Sequence, residues 1–292
     1  MSDILKSIIL GILEGITEFL PISSTGHLIV ATQLLNFRLD APGFRSTFEI
    51  FIQSGAIVAV LIYYSRDLLQ QARTINTPPT QRWWLAIIVA AIPGLILGFL
   101  LSSKIEELLF RPSVVALSMI VGGVFMYAAE VYQAQQEKRK GLAVAANTTS
   151  AEAATHANVP PAEGEVTMMQ ALIVGLFQVL ALIPGMSRSA MSIIGGMFAG
   201  LSRPVATRFS FYLALPVLGS ATAYALLKHL SDINGSDLML LLIGAVVSGI
   251  VAWFVIGWFL RYIARNSFIP FAIYRIIVGV MILALVSAGL LK

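Results

Sequence analysis

The chain has 292 residues, of which 58% are hydrophobic and only 12% are charged, and its formal net charge is +4. Soluble domains carry roughly 25% charged residues because their surface faces water, so this composition excludes a secreted module or a disordered scaffold and indicates a polytopic membrane protein. The positive charge is spread over many loops without a basic block, which excludes a nucleic-acid binder. The absence of cysteine excludes disulfides, thiolate metal sites and cysteine nucleophiles.

The first apolar stretch, residues 4–20, is not predicted to be a signal peptide. Its core contains Glu14 and Glu18, and it runs into Pro21. A signal core is purely apolar and ends in small residues at a cleavage site. We therefore expect this stretch to belong to the folded protein.

Six segments are long and apolar enough to cross a bilayer as helices, which takes about 20 residues. They are residues 48–64, 83–101, 114–132, 209–227, 238–260 and 268–290.

Two further apolar stretches are broken in the middle by polar loops. Residues 4–20 are interrupted at 21–26 and resume to 35, and residues 168–183 are interrupted at 184–189 and resume to about 201. Because bare backbone at membrane depth is tolerated only beside protein or a water-filled cavity, each stretch is predicted to be a re-entrant helix–loop–helix hairpin.

The two broken stretches resemble each other at a fixed offset of 164 residues. The matching pairs are Gly11 with Gly175, Glu14 with Gln178, Ser23 with Ser187, and Thr25 with Ser189. Each stretch is followed by three predicted spans, and an odd number of crossings turns the second half upside down. The prediction is an all-α polytopic membrane protein, a single domain with an inverted-topology repeat of halves at about 1–132 and 166–292.

The segment between the halves, about 133–165, is polar and is predicted to be a flexible surface linker. With this topology ten lysines and arginines fall on one face and seven on the other. The positive-inside rule makes the first face cytoplasmic, with both termini and the opening of the pocket on the external side.

Glu14 and Glu18 lie four residues apart, which puts them on one face of a helix. Carboxylates inside an apolar helix are costly unless they face water, a cation or a basic partner. Two interpretations stay open here. The helix could lie at the interface with both groups solvated, or the pair could form a hard-cation site or an acid/base pair.

The first loop supplies the hydroxyls of Ser23, Ser24 and Thr25 and the imidazole of His27. A hydroxyl before a helix often only caps it, and we expect that role for one of the three. His27 adds a base near neutral pKa within reach of a nucleophilic oxygen, so Ser24 is predicted to be the nucleophile.

The second loop contains Gly185, Ser187, Arg188 and Ser189. A lone arginine near the end of a span can snorkel to the interface, but Arg188 lies between two broken helices. Backbone N–H groups at a helix start, two hydroxyls and a forked guanidinium make an anion site suited to phosphate. Together the two loops form a constellation suited to phosphoryl transfer.

Three other polar residues in apolar segments are weaker signals. They are Glu49, Gln53 and Arg275. Solvation at the interface and a role in the site are equally good interpretations of each.

Residues 14–27, EGITEFLPISSTGH, resemble the first motif of the bacterial undecaprenyl-diphosphate phosphatases of the bacitracin-resistance type. Residues 184–189 resemble the second motif, and the similarity continues through 48–55 and 267–275. Ser192 stands where the second motif usually has threonine, which keeps a hydroxyl. The linker is also longer and more polar than in the family pattern.

The resemblance implies an enzyme of the bacterial plasma membrane. It would remove the terminal phosphate of undecaprenyl diphosphate and so recycle the lipid carrier of peptidoglycan synthesis. Its partners would be the polyprenyl diphosphate lipid and membrane lipids, with no nucleic acid, and a homodimer is left open.

In that interpretation Ser24 attacks the terminal phosphorus, His27 or Glu18 assists proton transfer, and Arg188 holds the phosphate with the loop amides. Glu14 and Glu18 would position a divalent cation, Mg²⁺ or Ca²⁺. The residues expected to bind substrate are Ser23, Thr25, Gly185, Ser187 and Ser189.

Two other functions share features with this chain. Inverted repeats with broken helices are also the architecture of secondary transporters, so the chain could move a lipid phosphate or an anion. A pure transporter does not require the Ser24 and His27 pair. A type-2 phosphatidic acid phosphatase needs a histidine several residues after its Ser-Arg pair, and here none follows Arg188 before His229.

Overall fold

The computed structural model describes residues 1–38, 42–147, 166–229 and 235–291, and in these residues the chain is all-helical without a β-strand. Eleven α-helices and one short 3₁₀ helix follow each other. They are α1 Asp3–Thr17, α2 Ser24–Leu34, α3 Pro42–Tyr63, α4 Ser65–Arg73, α5 Pro78–Leu109, α6 Pro112–Asn147, α7 Met168–Val179, the 3₁₀ helix Leu180–Leu182, α8 Arg188–Phe198, α9 Arg203–His229, α10 Gly235–Ile263 and α11 Ile269–Ser287.

Local sequence explains where several helices begin. The side chain of Ser2 accepts a hydrogen bond from the backbone N–H of Leu5 and caps α1. Thr167 and Gln170 form a capping box at the start of α7, in which each side chain bonds the other residue's backbone. α5 and α11 have proline in their first turn, where its missing N–H costs nothing.

All six predicted spans are helical, and in the described part of the chain four helices are long and apolar enough to cross a membrane. These stretches are Pro78–Leu101, Pro112–Arg139, Asp237–Ile263 and Ile269–Ser287, and α3 with α4 makes a fifth if that pair, bent by 64°, is one span. The remaining segment lies in α9, whose first turns carry Arg203 and Arg208 and whose Phe209 and Phe211 are fully buried. The first half of α9 therefore lies in the bundle interior, whereas its end is exposed. With several helices that can cross a membrane, the chain is a multi-pass membrane protein.

The two broken stretches fold as two helices each, at the predicted places. α1 and α2 are separated by residues 18–23, and α7 and α8 by the 3₁₀ turn and residues 183–187. The first helix of each pair packs against a helix from the other half of the chain, α1 on α10 and α7 on α5.

Glycines make these two contacts close. A Cβ added at Gly11 would lie 2.6 Å from the Gly244 carbonyl oxygen, and one added at Gly175 would lie 2.6 Å from that of Ala90. Small residues let the backbones of membrane helices approach each other, so Gly11 and Gly175 both allow close packing of their helices.

The linker prediction was wrong at its beginning. Residues 133–147 are helical and extend α6 by about four turns beyond the predicted span. This stretch is rich in alanine, glutamine and lysine, which are good helix formers even where they are polar. The rest of the predicted linker, residues 148–165, lies outside the described residues.

Candidate active site

The two broken loops meet at a cavity of about 160 Å³. α3, α9 and the 3₁₀ helix complete its wall. The lining residues are Glu18, Ser23, Ser24, Thr25, Gln53, Ala181, Pro184, Gly185, Ser187, Arg188 and Leu218. Seven of the ten residues predicted for the site therefore share one cavity, and Gln53, a weaker candidate, joins them.

The two loops enter their second helices with the same local structure. Ser23 has φ 75° and Ser187 has φ 71°, a left-handed region that residues with a side chain rarely adopt. The Ser23 side chain accepts from the Gly26 N–H and the Ser187 side chain from the Ala190 N–H, each at 3.2 Å. Both predicted substrate-binding serines are thus helix caps, which turns the first amides of α2 and α8 to the loop side.

Glu18 connects the two loops. Its Oε2 accepts a hydrogen bond of 2.7 Å from the Ser24 hydroxyl, and its Oε1 accepts one of 3.0 Å from Arg188 Nη2. Arg188 Nη1 also donates to the backbone carbonyl of Ser210 at 2.9 Å, which holds the guanidinium against α9. Glu18 and Ser24 are both buried.

This arrangement can do two kinds of chemistry. A carboxylate that already accepts the hydrogen bond of a serine hydroxyl can take its proton when the oxygen attacks. Arg188 lines the cavity, and its buried Nε has no hydrogen-bond partner among the described residues. The guanidinium thus places a positive charge at the wall of the cavity, where it favours an anion.

His27 lies beside the loop but does not bond Ser24. Its Nδ1 is 2.7 Å from the Ser23 carbonyl oxygen, and its Nε2 is 2.7 Å from the Tyr274 hydroxyl. His27 is also absent from the cavity wall. In this structure the group that contacts the Ser24 hydroxyl is Glu18.

Two hydroxyls of the second motif serve its own helix and the loop beside it. Ser189 is buried, bonds Ser187 and donates to the Leu20 carbonyl oxygen. Ser192 donates to the Arg188 carbonyl oxygen and bonds Ser210 at 2.7 Å. Ser189 therefore ties the two loops together behind the cavity.

Arg275 is one of the three polar residues whose role the sequence left undecided. It is fully buried in α11, and its guanidinium donates to the carbonyl oxygens of Pro21 at 3.2 Å and of Gly185 and Met186 at 3.0 Å. One arginine thus holds a residue of each broken loop. The available signal was an arginine inside an apolar segment, which is costly unless it is paired.

Glu14 lies in the bundle interior rather than at an interface. It is fully buried, Glu18 is 6% exposed, and neither Glu14 oxygen has a hydrogen-bond partner among the described residues. The interpretation of a solvated interfacial helix is therefore wrong.

The structure offers few side-chain ligands for the predicted metal site. No group of three histidine, aspartate or glutamate side chains suited to a metal occurs in the described part of the chain. Glu14 has the chemistry of a hard-cation ligand, and neither of its oxygens has a hydrogen-bond partner among the described residues, but it does not line the cavity.

Known proteins resemble this chain over nearly its whole length. A family model described as bacitracin resistance protein BacA matches residues 7–281. An undecaprenyl-diphosphatase of Deinococcus radiodurans is 45% identical over 291 residues, which cover 99% of this chain and 98% of that relative. Proteins of the same name from Cupriavidus necator and Ralstonia nicotianae are 43% and 44% identical, over 99% and 96% of this chain and 97% and 94% of theirs.

Proposed function

Because the chain belongs to the BacA family of bacitracin resistance proteins, we propose that it hydrolyses undecaprenyl diphosphate to undecaprenyl phosphate and inorganic phosphate. The observation that carries this proposal is the contact of Glu18 with both Ser24 and Arg188 at the wall of one cavity. A serine nucleophile, its base and an anion-binding arginine are the groups that phosphoryl transfer needs.

In the reaction, Ser24 Oγ attacks the terminal phosphorus while its proton passes to Glu18 Oε2. The bond between that phosphorus and the bridging oxygen breaks, and undecaprenyl phosphate leaves. Arg188 and the first amides of α8 hold the transferred phosphoryl group, since a helix N-terminus and a guanidinium both favour anions. Water then attacks the phosphoserine, Glu18 returns its proton to Ser24 Oγ as the bond to phosphorus breaks, and inorganic phosphate leaves.

A divalent cation, Mg²⁺ or Ca²⁺, would be held by Glu14 and Glu18. When bound, it would neutralise part of the charge of the diphosphate. The carboxylates of the chain provide two of the oxygen donors that such ions prefer.

The fold proposal is an inverted-topology repeat with six transmembrane helices and two re-entrant hairpins. The exchanged packing of α1 on α10 and α7 on α5 supports it, because each half supplies the partner helix for the other. The charge bias supports a pocket that opens to the external, periplasmic side of the bacterial inner membrane.

The test is phosphate release from undecaprenyl diphosphate by the purified protein in detergent. We expect release by the wild type and its loss in Ser24→Ala and Arg188→Ala. Ser287→Ala, a matched change on the exposed end of α11, should keep full activity. Folded wild type that releases no phosphate would overturn the proposal, and full activity of Ser24→Ala would overturn the assignment of the nucleophile.

Transport of a lipid phosphate gains no support from these observations. A transporter has no need of a serine hydroxyl bonded to a buried carboxylate, and the Ser24–Glu18 pair is the central feature of the cavity.

A further inference from the structure

His27 is held on both sides of its ring. Nδ1 lies 2.7 Å from the Ser23 carbonyl oxygen, and Nε2 lies 2.7 Å from the hydroxyl of Tyr274 on α11. The His27 and Tyr274 rings are nearly parallel, at 5°, with their centroids 5.6 Å apart. The imidazole therefore bridges the first loop and the last helix.

The partners define the tautomer of the neutral ring. A carbonyl oxygen can only accept, so Nδ1 carries the hydrogen and donates it to Ser23. Nε2 is then an acceptor, and the Tyr274 hydroxyl donates to it. Tyr274 thus favours the tautomer that bonds the loop.

The His27 ring makes the shortest of three contacts that hold Ser23, whose carbonyl oxygen also accepts from the His27 backbone N–H at 3.4 Å and whose side chain accepts from the Gly26 N–H at 3.2 Å. With φ 75° this serine has a backbone conformation that is unfavourable for a residue with a side chain, and such conformations persist only when surrounding contacts hold them. Ser24, the next residue, must keep its hydroxyl on Glu18. A loop that relaxed at Ser23 would turn Ser24 away from its base.

The second loop is held in a different way. Met191 stands at the position that corresponds to His27, and it cannot make such a bond. Arg275 donates directly to the carbonyl oxygens of Gly185 and Met186 instead. Arg275 therefore contacts both loops directly, since it also donates to Pro21, and Tyr274 adds a contact to the first loop through His27.

We propose that Tyr274 is a positioning residue of the hydrolysis. Its hydroxyl holds His27 with Nδ1–H on the Ser23 carbonyl, and it thereby keeps the Ser24 hydroxyl directed at Glu18. This inference rests on the proposed function. It makes His27 a support of the loop rather than the base.

The first experiment measures kcat and KM for undecaprenyl diphosphate in Tyr274→Phe, with Tyr127→Phe as the matched control, since Tyr127 is an exposed tyrosine of α6. Loss of one hydrogen bond that orients the nucleophile should lower kcat by about fivefold to tenfold and change KM by less than about twofold. The control should match the wild type. Wild-type kcat in Tyr274→Phe would overturn the inference.

A double-mutant cycle then tests whether Tyr274 acts through His27. Tyr274→Phe should have no further effect on kcat in a His27→Ala or a His27→Asn background. The asparagine variant keeps a donor near the position of Nδ1, so it serves if the alanine variant fails to fold. If Tyr274→Phe lowers kcat by the same factor in a His27 background as in the wild type, the inference is overturned.

Ser24→Ala, assayed in parallel, separates this inference from the proposed function. If Ser24→Ala is inactive and the Tyr274 effect is independent of His27, only the positioning role fails. If Ser24→Ala is active, Ser24 is not the nucleophile, and the proposed mechanism and the positioning role of Tyr274 both fail.

Discussion

Ser24 and Arg188 bind the two oxygens of one carboxylate, that of Glu18, although their positions differ by 164 residues, the offset between the two halves of the chain. At equivalent places the first half therefore supplies a hydroxyl and the second half a guanidinium. Glu18 has no counterpart in the second half, where Leu182 stands at the matching position. The two loops thus build a single site rather than two copies of one.

Glu18→Gln should lower kcat by at least about a hundredfold, because the amide keeps the shape of the side chain but cannot take the proton of Ser24. The measurement is phosphate release under saturating substrate. Glu137→Gln is the matched control, since Glu137 is an exposed residue of α6 that does not line the cavity. A kcat within about threefold of the wild type would rule out Glu18 as the base.

Arg188→Lys should lower kcat/KM by about tenfold or more, even though the charge is kept. The guanidinium bonds Glu18 through Nη2 and Ser210 through Nη1 at once, and an ammonium cannot reproduce this planar fork. The effect is measured by steady-state kinetics. Arg82→Lys is the control, because Arg82 is an exposed arginine. Equal kcat/KM in Arg188→Lys and the wild type would show that the charge alone suffices.

Much of this site could be predicted from the sequence, because polar residues inside apolar segments are rare and the breaks in the helices are marked by Pro21 and Pro184. The pairing of Ser24 was harder to predict. His27 lies three residues away in the chain, yet the helix turn directs its ring to Tyr274, and Glu18 reaches Ser24 from the end of α1. The spacing of residues along the chain does not show which way a side chain points or which residue of another helix it reaches.

Arg275 illustrates a second limit of the sequence. Its acceptors are backbone carbonyls of two loops that lie about 90 and 250 residues away, and a backbone acceptor leaves no residue pattern to read. The extension of α6 past residue 133 was missed for another reason. Its polar composition suggested a loop, but its residues are good helix formers and continue the helix.

Arg275→Met should lower both stability and activity. It would leave carbonyls of Pro21, Gly185 and Met186 buried without a donor, at about 1–3 kcal/mol for each unsatisfied group. We expect a lower midpoint of thermal unfolding in detergent, and loss of phosphate release in the fraction that is still folded. An unchanged unfolding midpoint would show that these bonds contribute little.

Gly122→Ala tests the same contact with the arginine left in place. A Cβ at Gly122 would overlap the Arg275 guanidinium, so the guanidinium must move away from the loops. We expect lower activity than in Gly43→Ala, since nothing lies within 4 Å of a Cβ added at Gly43. Equal activity of the two alanine variants would contradict this view of the contact.

Removal of divalent cations should abolish phosphate release, and added Mg²⁺ or Ca²⁺ should restore it. Glu14→Gln should raise the metal concentration needed for half-maximal activity by about tenfold or more, because a neutral amide replaces a buried carboxylate whose oxygens have no partner among the described residues. Glu137→Gln again controls for the loss of a negative charge. Release that persists in the presence of a chelator, or a metal requirement unchanged in Glu14→Gln, would remove Glu14 from the set of metal ligands.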